Sequence, residues 1–115
     1  MNVYDQAHQL ARVLKESEEF LERERLRQIA YEDDTNRALL DEFKKLQIQA
    51  QVRFASGERP AQDDMDRLQK ISALLQYNSD TSAYILADFR YQKLLADIYK
   101  ILGETAGIDL DMLHG

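Results

Sequence analysis

Apolar residues recur along this chain at three- and four-residue spacings, which is the pattern of amphipathic α-helices. The first segment, Val3–Glu16, carries its apolar residues on one face, and Asn2 is placed to cap its N-terminus. A second segment follows Ser17, another candidate cap. The pattern allows either two helices here or one helix with a kink near Ser17.

The third and fourth segments, residues 35–55 and 61–77, are separated by the strongest helix stop in the sequence. That stop is Ser56-Gly57, and Pro60 follows it as a restart signal. A loop this short joins antiparallel helices. The sequence therefore predicts a helical hairpin that turns at residues 56–60.

Polar residues at these helix ends and faces refine the prediction. Asp33 or Asp34 is suited to cap the third helix. Acid-to-base spacings on the outer faces predict local ion pairs, among them Glu19–Arg23 and Asp63–Arg67. The third helix carries a heptad-like seam formed by Leu40, Phe43, Gln47, Ala50 and Phe54.

The fifth segment, residues 80–102, is apolar almost all the way round the helix. Ser79 or Asp80 is expected to cap it and Gly103 to end it, and residues 108–115 form a short amphipathic tail. A surface helix needs only one apolar stripe, and this segment carries two. A second partner, such as another copy of the chain, is therefore expected to cover what the first leaves exposed.

These elements predict an all-α fold of about five helices in one domain spanning residues 1–115. The expected architecture is a helical bundle with a long antiparallel hairpin. The fifth helix, together with the third, is expected to form the interface of a homodimer or higher oligomer, because four modest amphipathic helices cannot cover it. The candidate interface residues are Tyr84, Tyr91, Leu95, Ile98, Leu102, Phe43 and Phe54.

Composition and charge narrow the class of protein. The formal net charge is −6, and acid exceeds base in both halves of the chain, so no basic platform for nucleic acid is expected. The absence of cysteine excludes disulfides, thiolate metal sites and cysteine nucleophiles. Because neither a signal peptide nor a membrane span is recognisable, we expect a soluble cytoplasmic protein without a membrane partner.

Catalysis and metal binding find little support in the residues. His8 with Asp5 could hold a metal only weakly, and Asp109, Asp111 and His114 lie in the short tail. The acidic run at residues 63–66 lacks the glycine and distal glutamate of an EF-hand loop. It is better explained as acidic residues in the first turn of a helix, where they complement the helix dipole. We therefore expect no catalytic residue, no metal site and no cofactor.

Four motifs together resemble the YlbF/YmcA family of small bacterial helical proteins, and most closely its uncharacterised YheA-like branch. They are VYDQAHQLARVLKESEEF at the start, DDTNRALLDEFKKLQIQ, a Gly-Glu-x-Pro link, and ADFRYQKLLADIYKIL near the end. The resemblance implies an all-α fold with a protruding helical hairpin and self-association. It also implies regulation of competence, biofilm formation and sporulation, in a complex linked to ribonuclease Y and messenger RNA turnover.

The iron–sulfur clusters associated with those regulators are held by cysteines. This chain has no cysteine, so no cluster ligand carries over. The resulting expectation is a non-catalytic adaptor or regulatory module that binds itself and a regulatory protein partner. Two alternatives remain: a purely self-assembling structural protein, and an RNA-turnover accessory factor that contacts RNA.

Overall fold

The computed structural model describes residues 2–107, which form five helices and no strand. This confirms the predicted all-α fold. The first two helices are separated by a break at Ser17. The sequence alone allowed either two helices or one kinked helix at this point. The helices are α1 Val3–Glu16, α2 Glu18–Glu32, α3 Asp34–Ala55, α4 Gln62–Tyr77 and α5 Ser79–Ala106.

Short polar side chains begin four of the helices. Asn2, Ser17 and Asp33 each accept a hydrogen bond from a backbone N–H in the first turn of the helix that follows, as predicted. The predicted cap of α5, Ser79 or Asp80, was wrong by one or two residues. Its cap is Asn78, whose side-chain oxygen accepts from the backbone N–H groups of Asp80 and Thr81.

The end of α5 also differs from the prediction, because the helix continues past Gly103 to Ala106. Gly103 is a buried position inside the helix. The stop comes at Gly107, which has a φ of 71° and donates its N–H to the Gly103 carbonyl at 3.0 Å. This left-handed conformation turns the chain out of the helix, and glycine adopts it without steric cost. The predicted tail, residues 108–115, lies outside the described residues.

The α3–α4 hairpin turns where the sequence predicted, at Gly57 with a φ of 79°. Arg67 on α4 donates two hydrogen bonds across the hairpin to Glu42 on α3, at 2.8 and 2.9 Å. The local pair predicted for Arg67, with Asp63, is replaced by this contact between helices. Sequence spacing reveals pairs within one helix only, and so it missed the inter-helix partner.

The α2 and α5 helices form the main antiparallel contact of the fold. The Tyr31 and Tyr84 rings meet at one end, with centroids 6.0 Å apart, and Phe20 meets Tyr91 at the other end at 5.6 Å. Both pairs are edge-to-face, a favourable geometry for aromatic rings. The core cluster draws residues from α2, α3, α4 and α5: Ala30, Leu40, Leu46, Ile71, Leu75 and Tyr84.

The molecule is flat, with Cα extents of 49 × 37 × 16 Å. Helix axes pack 8–10 Å apart, so a thickness of 16 Å holds two layers of helix at most. The accessible surface is 8947 Å², whereas a compact monomer of 13.4 kDa exposes about 6,500 Å². The accessible surface is therefore larger than that of a compact monomer of the same mass.

Candidate interaction surface

One of the two apolar stripes of α5 faces α2, and we call it the α2-facing seam. It consists of Tyr84, Ala87, Tyr91, Leu95, Ile98 and Leu102, which recur at helical spacing on one side of α5. Tyr84 is only 2% exposed, and Tyr91 is half-buried against Phe20. These two predicted interface residues thus lie in contacts within the chain.

An ion pair lies in the middle of the contact between α2 and α5. The Arg23 Nε donates to Asp88 Oδ1 at 2.5 Å, and its guanidinium lies 5.5 Å from the centre of the Tyr91 ring. Burial, the largest single effect, lowers the pKa of Arg23, but the hydrogen bond to Asp88 and the charge interactions with Asp88, Tyr84 and Glu24 together leave that pKa raised. The predicted partner was Glu19, four residues away on the same helix. The structure pairs Arg23 with Asp88 and Glu24 instead.

The C-terminal part of the seam extends beyond the start of α2. Leu95 and Ile98 are half-buried, and Leu102 is 51% exposed. We call these three residues the seam end. They were predicted as interface residues, and the structure leaves them accessible to a partner.

The second stripe of α5 faces α3 across an open groove of about 460 Å³, which we call the α3–α5 groove. Ile85 and Phe89 from α5 and Leu40 and Phe43 from α3 supply its apolar lining. Phe89 is 68% exposed, whereas Phe43, a predicted interface residue, is half-buried. The lining also includes three glutamines, Gln47, Gln51 and Gln92.

A cation and a buried hydroxyl lie at one end of the α3–α5 groove. The Lys44 ammonium is 5.7 Å from the centre of the Tyr31 ring and 5.8 Å from that of Tyr84. Burial lowers the pKa of Lys44, but the two tyrosine hydroxyls outweigh burial and raise it, so Lys44 stays charged. The Tyr84 hydroxyl is itself buried without a well-formed hydrogen bond.

The exposed end of α3 continues the apolar surface toward the hairpin turn. Phe54, the last of the predicted interface residues, is 70% exposed, and Ile48 and Val52 are exposed as well. The other side of the α2–α5 pair is different, since a charged cleft there is lined by Glu18, Glu19, Glu22, Arg25 and Arg90 together with Leu21 and Ala87. Leu21 in this cleft is 55% exposed, so exposed apolar residues occur on the charged side as well.

Sequence reasoning did not select Phe89 of the second stripe as an interface residue, nor the other exposed apolar residues Leu86, Ile48 and Val52. The predicted interface positions on α5 were chosen around its tyrosines. Tyr84 and Tyr91 are seven residues apart, and both belong to the α2-facing seam. The apolar pair Ile85 and Phe89, four residues apart on the other side of the helix, was the available signal.

The residues considered for chemistry are dispersed. His8 is exposed on α1, and Asp63 and Asp64 lie in the first turn of α4, where acid complements the helix dipole. Within residues 2–107, no group of three or more His, Cys, Asp or Glu residues is arranged to hold a metal ion. Asp109, Asp111 and His114 lie outside that range. None of the described helices is long and apolar enough to cross a membrane.

Comparison with known proteins connects this arrangement to a family. Residues 3–105 match the family model described as control of competence regulator ComK, YlbF/YmcA. The chain belongs to the YlbF/YmcA family. It is 33% identical over 110 residues to a UPF0342 protein of Clostridium tetani, covering 96% of this chain and 95% of the relative. A UPF0342 protein of Symbiobacterium thermophilum is 32% identical, with 94% and 96% covered.

A solved structure also supports the fold. It is a protein of unknown function (DUF964) from Bacillus stearothermophilus, with a TM-score of 0.75 and 20% identity, covering 97% of this chain and 95% of that one. At this identity the likeness concerns the fold alone. The family description refers to control of a competence regulator and indicates no enzymatic reaction.

Proposed function

We propose that this YlbF/YmcA-family chain is a non-catalytic adaptor or regulatory module. It associates with itself through α5 and presents the α3–α5 groove to a regulatory protein partner. The observation that carries the proposal is the apolar surface that the flat fold leaves uncovered, with Phe89 at its centre. The family description, which names control of a competence regulator, supports a regulatory setting.

The groove has the features of a protein-docking site. Its lining combines apolar side chains with glutamine amides, and protein interfaces likewise combine apolar and polar groups. Two splayed helices offer a trough that fits a third helix, a recurrent mode of peptide recognition. The net charge of −6 and the acid excess give no support to an RNA-contacting role.

Two measurements test this proposal. Sedimentation velocity at micromolar concentration is expected to show a dimer or larger species. Affinity capture from the native cell is expected to return a defined protein with the wild type and with Gln28→Glu, but not with Phe89→Glu. Both variants add one negative charge at an exposed helix position, so the comparison isolates the groove.

The other outcomes have definite meanings. A monomer in sedimentation contradicts the self-association. Capture that returns only the chain itself favours a purely self-assembling role, and retention of the partner by Phe89→Glu contradicts the groove as the docking site. Turnover of a substrate that is lost in His8→Ala overturns the non-catalytic assignment.

A further inference from the structure

We propose that the α3–α5 groove binds a helix of the partner protein that carries an acidic side chain, and that Lys44 and the Tyr84 hydroxyl bind its carboxylate. The inference rests on the groove being the docking site proposed above, and it specifies the chemistry of what docks there. Two neighbouring groups at one end of the groove carry it, an ammonium and a buried hydroxyl that meet no carboxylate among the described residues.

Lys44 is a charged side chain that takes part in none of the salt bridges within residues 2–107. Its ammonium lies instead beside the neutral rings of Tyr31 and Tyr84. The side chain is half-buried. Opposite charges attract more strongly at a partly buried position than in open solvent, because water and salt screen them less there. A ligand carboxylate therefore gains more from Lys44 than from an exposed lysine.

The two tyrosine hydroxyls beside Lys44 differ in what they bind. The Tyr31 hydroxyl donates to Asp41 Oδ1 at 3.3 Å, whereas the Tyr84 hydroxyl is buried without an acceptor. Lys44 cannot supply that acceptor, because an ammonium has three donors and no lone pair. The group missing from this end of the groove is therefore a hydrogen-bond acceptor. Beside an ammonium, a negatively charged acceptor forms the strongest hydrogen bonds.

The acidic residue of the groove does not fill this role. Its lining contains two charged residues, Lys44 and Asp88. The Asp88 carboxylate accepts a hydrogen bond from Arg23 and forms its salt bridge with that residue. Because Arg23 neutralises Asp88, Lys44 is the uncompensated charge of the lining. A single cation in a chain of net charge −6 does not suit a nucleic acid backbone, so the complementary partner is an acidic side chain of a protein.

The dimensions of the groove fit a helix. The lining runs from Leu40 to Gln51 on α3 and from Tyr84 to Gln92 on α5. At 1.5 Å per residue these stretches are about 16 Å and about 12 Å long, or about two to three helical turns. A small anion would leave most of this apolar lining exposed. Phe89 lies about 7 Å along α5 from Tyr84, so the partner helix is expected to carry Asp or Glu three or four positions from an apolar residue.

Contact with the Tyr84 hydroxyl requires a side-chain rearrangement, since the hydroxyl is buried in the unoccupied groove. The flexible four-carbon stem of Lys44 permits it. The hydroxyl then destabilises the free chain and contributes a hydrogen bond in the complex. Tyr84→Phe is accordingly expected to weaken binding without destabilising the fold, a combination that a purely structural role of the hydroxyl would not produce.

The inference is tested by selection from a displayed library of helical peptides against the wild-type chain. Peptides of about 14 residues with one randomised face are long enough to form marginal helices. Enriched peptides are expected to carry Asp or Glu three or four positions from an apolar residue. Lys44→Gln is expected to weaken their binding at least tenfold and Tyr84→Phe at least threefold. The matched control Lys45→Gln removes the same charge from the neighbouring exposed position and is expected to leave affinity within twofold.

A double-mutant cycle separates a direct contact from a change in the fold. The acidic residue of an enriched peptide is replaced by its amide, and this peptide is measured against the wild type and Lys44→Gln. The combined loss is expected to be no greater than either single loss, because both changes remove one contact. Losses that multiply overturn the pairing of Lys44 with the carboxylate.

The remaining outcomes distinguish this inference from the proposed function. Enriched peptides without an acidic residue, or binding that Lys44→Gln leaves within twofold, overturn the carboxylate assignment. If Phe89→Glu still abolishes binding of those peptides, the groove stands as the docking site. Binding that Phe89→Glu leaves intact, or a library without enrichment, removes the groove and the inference together.

Discussion

Replacing Tyr84 by phenylalanine removes one oxygen atom from the core and is expected to stabilise the protein. The Tyr84 side chain is among the largest fully buried ones, and its hydroxyl lacks a well-formed hydrogen bond. Phenylalanine keeps the ring that packs edge-to-face on Tyr31 and removes only the polar group. The substitution therefore tests whether the hydroxyl is a cost to the fold.

The magnitude follows from the desolvation of that hydroxyl. Burying a polar group without a partner costs about 1–3 kcal/mol. The Lys44 ammonium beside the ring supplies partial electrostatic compensation, so we take the lower end. The expected gain in the free energy of unfolding is about 1 kcal/mol, which raises Tm by about 4 °C in a domain of this size.

Urea unfolding and thermal melting measure the effect, at one protein concentration because association also stabilises the fold. Tyr77→Phe is the matched control, since Tyr77 is exposed at the end of α4 and its substitution is expected to change the free energy of unfolding by less than about 0.5 kcal/mol. Loss of more than about 0.5 kcal/mol in Tyr84→Phe would refute the reasoning and show that the hydroxyl forms a hydrogen bond in solution.

Three further substitutions probe other contacts. Thr81→Val removes a buried hydrogen bond from the Thr81 hydroxyl to the Leu75 carbonyl, and urea unfolding should show a loss of about 1–2 kcal/mol. The hydrogen bond from Arg67 lowers the pKa of Glu42 in the folded state. Glu42→Gln should therefore destabilise the protein at pH 7. This destabilisation should vanish as the pH falls through the lowered pKa, which lies below the unfolded value of about 4.3. Ser17→Ala removes the cap of α2 and should cost about 1 kcal/mol with reduced helicity by circular dichroism.

The helices themselves were largely predictable, because their signals are local. Asn2, Ser17 and Asp33 cap the helices that follow them, and Gly57 turns the hairpin. The predicted C-terminal end of α5 was wrong for a physical reason. Gly103 is a stop signal only when its backbone is free to turn left-handed, and at that position it is a buried part of α5.

The candidate site was less predictable, because it depends on which helices meet. The sequence shows that α5 has two apolar stripes but does not show which one α2 covers. Tyr84 and Tyr91 were chosen as interface residues by type, and their rings pack on Tyr31 and Phe20 of the same chain. The pairing of Arg23 with Asp88 is likewise set by tertiary contact, across 65 residues of sequence.

The flat shape links stability to association. The core cluster is small, and the fold exposes apolar residues on α1, on the end of α3 and on both stripes of α5. A closed bundle would bury these residues in one chain and leave no surface for a partner. Because α2 begins only after Ser17 and an open groove separates α3 from α5, these residues remain accessible for the contacts between molecules that we propose. Anything that binds the folded chain then adds to its stability by mass action, so a protein built this way is most stable when it is assembled.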